Sequence, residues 1–314
     1  MNADRSPVVV GVDGSPGARA ALEWAWAAAA RRGAPLQVIS AFPVDYYWTD
    51  ALLLDAGRVD ALRSATAARL TALVAAVRGA AGSLEAQVDV TVVAGAPAEH
   101  LVQLSEDASL LVVGSRGRGG VRSTLLGSVA LHCATSAACP VVVVHPGPDT
   151  PSLPPGARAS RPRVLVGLDD SDAAQAALTR AVVLADELGA EVEAVVAVEP
   201  PVYSSEVDVV VPLADVRERA LARYRERVAE LPAGSQVPVS VLVADGPAGA
   251  MLVERSAGAA LLVVRSRSRS RLPGMLLGSV ALHCVVHAQC PVMVVHPESA
   301  GRRRAGTPIV AASG

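Results

Sequence analysis

Short apolar runs alternate along the chain with longer segments in which alanine, leucine and valine recur at helical spacing. In the first half the apolar runs fall at 7–13, 35–42, 85–94, 110–113 and 140–145, and the helical segments at 15–33, 58–78, 97–107 and 127–137. Several runs are apolar throughout, as strands buried on both faces require. Punctuation supports the division: Ser15 stands where an N-cap belongs, Arg31, Arg32 and Gly33 close the first helix, and Pro97 opens the third. Strands alternating with helices predict an α/β fold in which right-handed crossovers build a doubly wound parallel sheet.

The pattern is written twice. Residues 8–42 are echoed by 164–198, with Gly11 and Asp13 matched by Gly167 and Asp169 at an offset of 156. Further on, Gly127-Ser128-Val129-Ala130-Leu131-His132-Cys133 recurs unchanged as Gly278-Ser279-Val280-Ala281-Leu282-His283-Cys284, at an offset of 151. The expected organisation is a first domain at 1–146, a Pro/Gly-rich linker at 147–162, a second domain at 163–297 and a disordered tail at 298–314. A length of 314 residues suits two such domains.

Composition narrows the picture. Apolar residues make up 51% of the chain and aromatic ones only 3%, so the cores are aliphatic. A formal net charge of −2 gives no basic field to recruit nucleic acid or an anionic membrane. The N-terminus lacks the pattern of a signal peptide, and the alanine-rich stretch near residue 27 is interrupted by Glu23 and closed by Arg31-Arg32, too short to span a bilayer. A cytoplasmic protein is expected, with neither nucleic acid nor membrane as partner. Cys133, Cys139, Cys284 and Cys290 occupy equivalent places in the repeat and read as buried thiols in a reducing compartment. A metal reading with His132, His145, His283 and His296 is the weaker alternative, and no metal ligand is assigned.

Candidate chemistry gathers where the fourth strand ends. Leu110-Leu111-Val112-Val113 runs into Gly114-Ser115-Arg116-Gly117-Arg118-Gly119-Gly120 and, after 121–126, into Gly127-Ser128-Val129. A strand, a glycine loop and a small-residue helix start suit phosphate, because glycines let backbone N–H groups approach an anion and free amides face it at the helix N-terminus. A Walker loop is excluded, since the chain contains no lysine. A dinucleotide fingerprint would follow the first strand, which ends instead in Val12-Asp13-Gly14-Ser15. The competing explanation is a glycine loop without a ligand.

Gly114, two residues, Gly117, nine residues and then Gly127-Ser128 resembles the ATP-binding pattern of the universal stress protein family. The likeness extends to Val9-Val10-Gly11-Val12-Asp13-Gly14-Ser15 and to Cys139-Pro140-Val141-Val142-Val143-Val144. The whole chain resembles the tandem, two-domain members found in actinobacteria. This resemblance implies five-stranded sheets of order 3-2-1-4-5, in which the ends of strands 1 and 4 open a crevice, and pairing of the fifth strands of the two halves as an intrachain pseudo-dimer. Further association into a homodimer is left open. It also implies ATP as ligand, with magnesium as a candidate companion, and a nucleotide-dependent regulator of stress or growth adaptation acting on a protein partner that the sequence does not name.

The implied site comprises Gly11, Asp13, Gly14, Ser15, Ala41, Gly114, Ser115, Arg116, Gly117, Arg118, Gly119, Gly120, Gly127, Ser128 and Val129. Arg122 adds charge at the rim, and Ser40 and Phe42 add backbone contacts. In the second half the corresponding residues are Gly167, Asp169, Arg265, Ser268, Gly278, Ser279 and Val280. There Arg265 and Ser268 replace glycines at positions expected to need positive φ, so the second site is degenerate, although its arginines offer charge to phosphate. The segment at 43–50, Pro-Val-Asp-Tyr-Tyr-Trp-Thr-Asp, is either a lid over a base or a loop anchor. A slow ATPase or phosphotransferase and a nucleotide-independent scaffold are the alternatives. No catalytic residues are assigned, because neither paired carboxylates nor an evident general base accompanies the loop.

Overall fold

The computed structural model describes residues 6–42, 56–117, 126–146, 161–169, 171, 174–198, 212–231, 236–266 and 277–296. The 43–50 segment, most of the linker and the tail lie outside these. The first half comprises β1 (Val8–Gly11), α1 (Pro16–Arg32), β2 (Leu36–Phe42), α2 (Ala56–Ala80), β3 (Val88–Ala94), α3 (Pro97–Leu104), β4 (Leu110–Gly114), α4 (Ser128–Ser136) and β5 (Val141–Val144). The second half repeats it with β6 (Arg163–Leu168), α5 (Ala174–Leu188), β7 (Glu191–Val198), α6 (Leu213–Ala229), β8 (Val239–Asp245), α7 (Ala248–Arg255), β9 (Leu261–Arg265), α8 (Ser279–His287) and β10 (Val292–Val295).

Helix ends follow the local chemistry. The Ser15 side chain accepts from the Ala18 amide, and Gly33, at φ +57°, closes α1 by donating back to Ala29 and Ala30. Pro97 starts α3, where a missing N–H costs nothing. Trp26 is buried against the sheet, and its indole N–H finds the Leu84 carbonyl at 2.9 Å.

All ten strands join one sheet in the order β3-β2-β1-β4-β5-β10-β9-β6-β7-β8. Each half has the expected order, parallel throughout, and β5 meets β10 antiparallel at the centre. Alternate residues of each strand face opposite layers. Val8, Val10, Leu110 and Val112 pack with α1, α2, α5 and α6. Val9, Leu111 and Val113 pack with α3, α4, α7 and α8. The four cysteines are buried in the second layer, where burial pushes each thiol up to about 12, so none is a thiolate at neutral pH. Among the described residues no cluster of histidine, cysteine and carboxylate side chains is placed to hold a metal ion. Nor is any described helix long and apolar enough to cross a membrane.

The central seam is fastened by an exchange of histidines. His145, just after β5, donates from Nε2 to the Val285 carbonyl of α8 at 2.9 Å, and His296, just after β10, donates to the Ala134 carbonyl of α4 at 2.9 Å. Burial holds both imidazoles below their ordinary value of 6.5. It outweighs the carbonyls of Val285 and Cys290 around His145, where the Arg116 charge depresses the value further, and those of Ala134 and Cys139 around His296. Neutral histidine is therefore the native form. The unfolded chain binds the extra protons first, so this part of the stability is full above about pH 6.5 and is lost as pH falls towards the depressed folded values. Melting points should fall between about pH 7.5 and pH 5.5. The double variant His145→Gln and His296→Gln should give a flatter profile over that window, and an unchanged slope would exclude these two groups as its source.

Candidate functional site

β1 lies between β2 and β4, and the connections that leave β1 and β4 cover opposite faces of the sheet. A crevice opens at their carboxyl ends, the usual ligand position in such sheets. Its floor begins at Gly11, where an added Cβ would lie 2.7 Å from Leu101 Cδ1. Beyond it the chain turns through Gly14, at φ +82°, and the Asp13 carboxylate accepts from the Ser15 amide at 2.9 Å. The Ser15 hydroxyl accepts from the Ala18 amide at 3.1 Å and donates to the Arg116 carbonyl at 3.3 Å. It thus ties the end of β1 to the loop leaving β4.

That loop needs glycine for space. The described glycines at 114, 117 and 127 do not adopt positive φ, contrary to the expectation for Gly114 and Gly117. A Cβ on Gly114 would lie 2.6 Å from the carbonyl carbon of Gly17, and one on Gly117 would lie 2.6 Å from Asp13 Oδ2. The first contact lets α1 start against β4. The second brings the loop backbone up to the carboxylate. Further along, the Gly127 amide donates to the Ser115 carbonyl at 2.8 Å, and the Leu131 amide bonds Gly127 at 3.0 Å as the first full turn of α4. Ser128, Val129 and Ala130, whose amides precede that turn at the positive end of the helix, line the cleft.

A cleft of about 1180 Å³ opens where these segments meet. Gly11, Asp13, Gly14, Ala41, Gly114, Arg116, Gly117, Gly127, Ser128 and Val129 are brought together there, with Ser40 and Phe42. Ser15 and Ser115 are not part of the lining. Ser115 is fully buried with its amide spent on the Val144 carbonyl at 2.7 Å, so it anchors the loop to β5, and the Ser15 hydroxyl is spent on the cap. Arg118, Gly119, Gly120 and Arg122 lie outside the described residues.

Sequence reasoning missed one wall. Leu62, Thr66, Arg69, Leu70 and Leu73 of α2 also line the cleft, and Arg69 donates to the Thr66 hydroxyl at 3.2 Å. Their spacing of four, three, one and three residues was readable as one helix face. Leu70 and Leu73 also pack in the core, so the same face serves both.

In the second half Gly167, Asp169, Arg265, Gly278, Ser279 and Val280 again converge, around a cavity of about 170 Å³. Ser268 lies outside the described residues. The Arg265 guanidinium donates to Asp169 Oδ2 at 3.3 Å, and Asp169 also accepts from the amide and hydroxyl of Ser171. Partial burial works against ionisation of this carboxylate, but the Ser171 donors and then Arg265 outweigh it and hold it below the usual range.

Fold and site together define a tandem of doubly wound α/β domains, each with a crevice at its topological switch point, the first open and the second constricted. The model described as the universal stress protein family matches residues 5–145 and again 161–296, and the chain belongs to that family. Among curated relatives it is 36% identical over 299 residues to universal stress protein Rv2005c of Mycobacterium tuberculosis, covering 91% of this chain and 96% of the relative. A universal stress protein of Mycolicibacterium smegmatis is 32% identical over 300 residues, covering 92% and 97%. Among solved structures, a universal stress protein from Archaeoglobus fulgidus superposes with a TM-score of 0.63 at 23% identity, covering 93% of this chain and 99% of that one, which supports the fold.

Proposed function

We propose that the first half binds ATP in the cleft between β1 and β4, and that the protein is a cytoplasmic, nucleotide-dependent regulator in stress or growth adaptation rather than an enzyme. The observation that carries this reading is the convergence of two unlike ends in one cleft. The glycine loop and the amides of Ser128, Val129 and Ala130 suit an anion, whereas Asp13 with Ala41 and Phe42 suits the hydroxyls and base of a nucleoside. Arg116, in the loop that leaves β4, also lines the cleft and suits a charge-assisted contact with phosphate. Magnesium, if it accompanies the nucleotide, would find its carboxylate in Asp13.

The same lining argues against turnover. Among the described residues of the cleft Asp13 is the one carboxylate, accompanied by Arg69 and Arg116 but by neither histidine nor lysine. General-base activation of water needs more than this. Protein purified rapidly should carry adenine nucleotide, and the emptied protein should take up ATP by calorimetry. Phosphate release should stay well below about 1 per second, the low end of ordinary enzymes. Absence of ATP binding would overturn the reading, and faster release would make the protein an ATPase.

A further inference from the structure

The second crevice is filled from within. Arg265 stands where the first half has Gly114, at the offset of 151. In the first half that space belongs to the start of α1, since a Cβ on Gly114 would lie 2.6 Å from the Gly17 carbonyl carbon and 2.7 Å from its oxygen. In the second half the side chain at this position is a long one, and the Arg265 side chain is only 13% exposed, reaching Asp169. Ser171 has changed role to match. Both serines give their amides to the aspartate, but the Ser15 hydroxyl caps a helix and holds the glycine loop, whereas the Ser171 hydroxyl is given to Asp169 as well. A second ion pair separates the halves in the same sense. Arg217 of α6 pairs with Asp245 at the end of β8, where the first half has Ala94 at the end of β3. Thr66 and four neighbours on α2 line the first cleft, and no described α6 residue lines the second.

We infer that Arg265 is a built-in occupant of the second crevice: its guanidinium takes the Asp169 acceptor that the hydroxyl or amino donors of a nucleoside would otherwise use, and so limits the chain to one nucleoside. This rests on the reading of the first cleft as a nucleotide site. It differs from a merely degraded phosphate loop, because removal of one side chain should then restore the nucleoside end of the second site while its phosphate end stays poor.

Adenosine is the probe for that reason, titrated by calorimetry into the nucleotide-free, full-length protein and its variants. The parent should bind one adenosine per chain. Arg265→Gly and Arg265→Ala should bind two, the added site tighter by at least about tenfold than any second site of the parent. Arg265→Gln, which keeps the stem and removes the charge, should show the same gain if the smaller variants fold poorly. Combination with Asp13→Ala should leave the added site intact, which locates it in the second half. Two sites in the parent, or no added site in any folded Arg265 variant, would overturn the inference. A parent that binds neither adenosine nor ATP would instead overturn the reading of the first cleft, and a site gained by the Arg265 variants would still uphold the plug.

Discussion

Gly117→Val is expected to weaken ATP binding at least about tenfold, or 1.4 kcal/mol, while leaving the fold largely intact. The new Cβ would lie 2.6 Å from Asp13 Oδ2, a separation no carbon sustains, and it meets only a side chain. Relief therefore comes from rotation of Asp13 or withdrawal of the loop, and either change spoils the approach of phosphate or of the nucleoside hydroxyls. Gly114→Val should behave differently. Its Cβ would meet backbone, 2.6 and 2.7 Å from the carbonyl of Gly17 and 3.0 Å from the Ala18 amide, which cannot rotate away. The expected cost is in folding stability, on the order of 1–3 kcal/mol or more, as overpacking of a close contact implies. Calorimetry with ATP and urea unfolding, run on both variants, separate the two effects. Parent-like affinity in Gly117→Val would show that the ligand does not sit between the loop and Asp13.

The architecture was legible in the sequence because it rests on periodicity and repetition. Buried parallel strands read as apolar runs, and Ser15, Gly33 and Pro97 mark helix ends by conformational preferences that act locally. The pairing of β5 with β10, which the family resemblance implied, covers two apolar edges. What the motif spacing could not show is which donors the fold spends on itself. Ser15 and Ser115 stand inside the binding pattern, yet one hydroxyl is consumed by a cap and the other residue is sealed beneath the loop. The same limit applied to Arg265. As a sequence change it looked like positive charge offered to phosphate, but the carboxylate that could claim it lies 96 residues earlier in the chain and becomes its neighbour only through the pairing of β6 with β9. The α2 wall is a matter of degree, since one helix face serves both core and cleft and periodicity does not say where the core stops.

The largest loss of stability is expected from a charge at the seam. Met293 of β10 lies opposite Val142 of β5, and both are fully buried. The register keeps the layers in step across the join. Val142 and Met293 belong to the core beneath α1 and α5, while Val141 and Val143 face Val294 and Val292 in the core beneath α4 and α8. The two halves thus share their cores, and α1 and α5 are further linked by the Arg32–Glu187 pair at 3.0 Å. Met293→Asp would place a carboxylate at a fully buried position between Val142 of β5 and Val263 of β9, neither of which offers it a polar side chain. The cost should be at least about 3 kcal/mol, whereas Met293→Leu, which preserves volume, should cost less than about 1.5 kcal/mol. Because the damaged core continues into the first half, the aspartate variant should also lose ATP affinity, although residue 293 does not line the cleft. Urea unfolding followed by far-UV dichroism, together with ATP titration in the absence of denaturant, tests both parts. If Met293→Asp unfolded only the second half and left ATP binding at the parent level, the halves would be independent units, and the shared sheet would add nothing to the first.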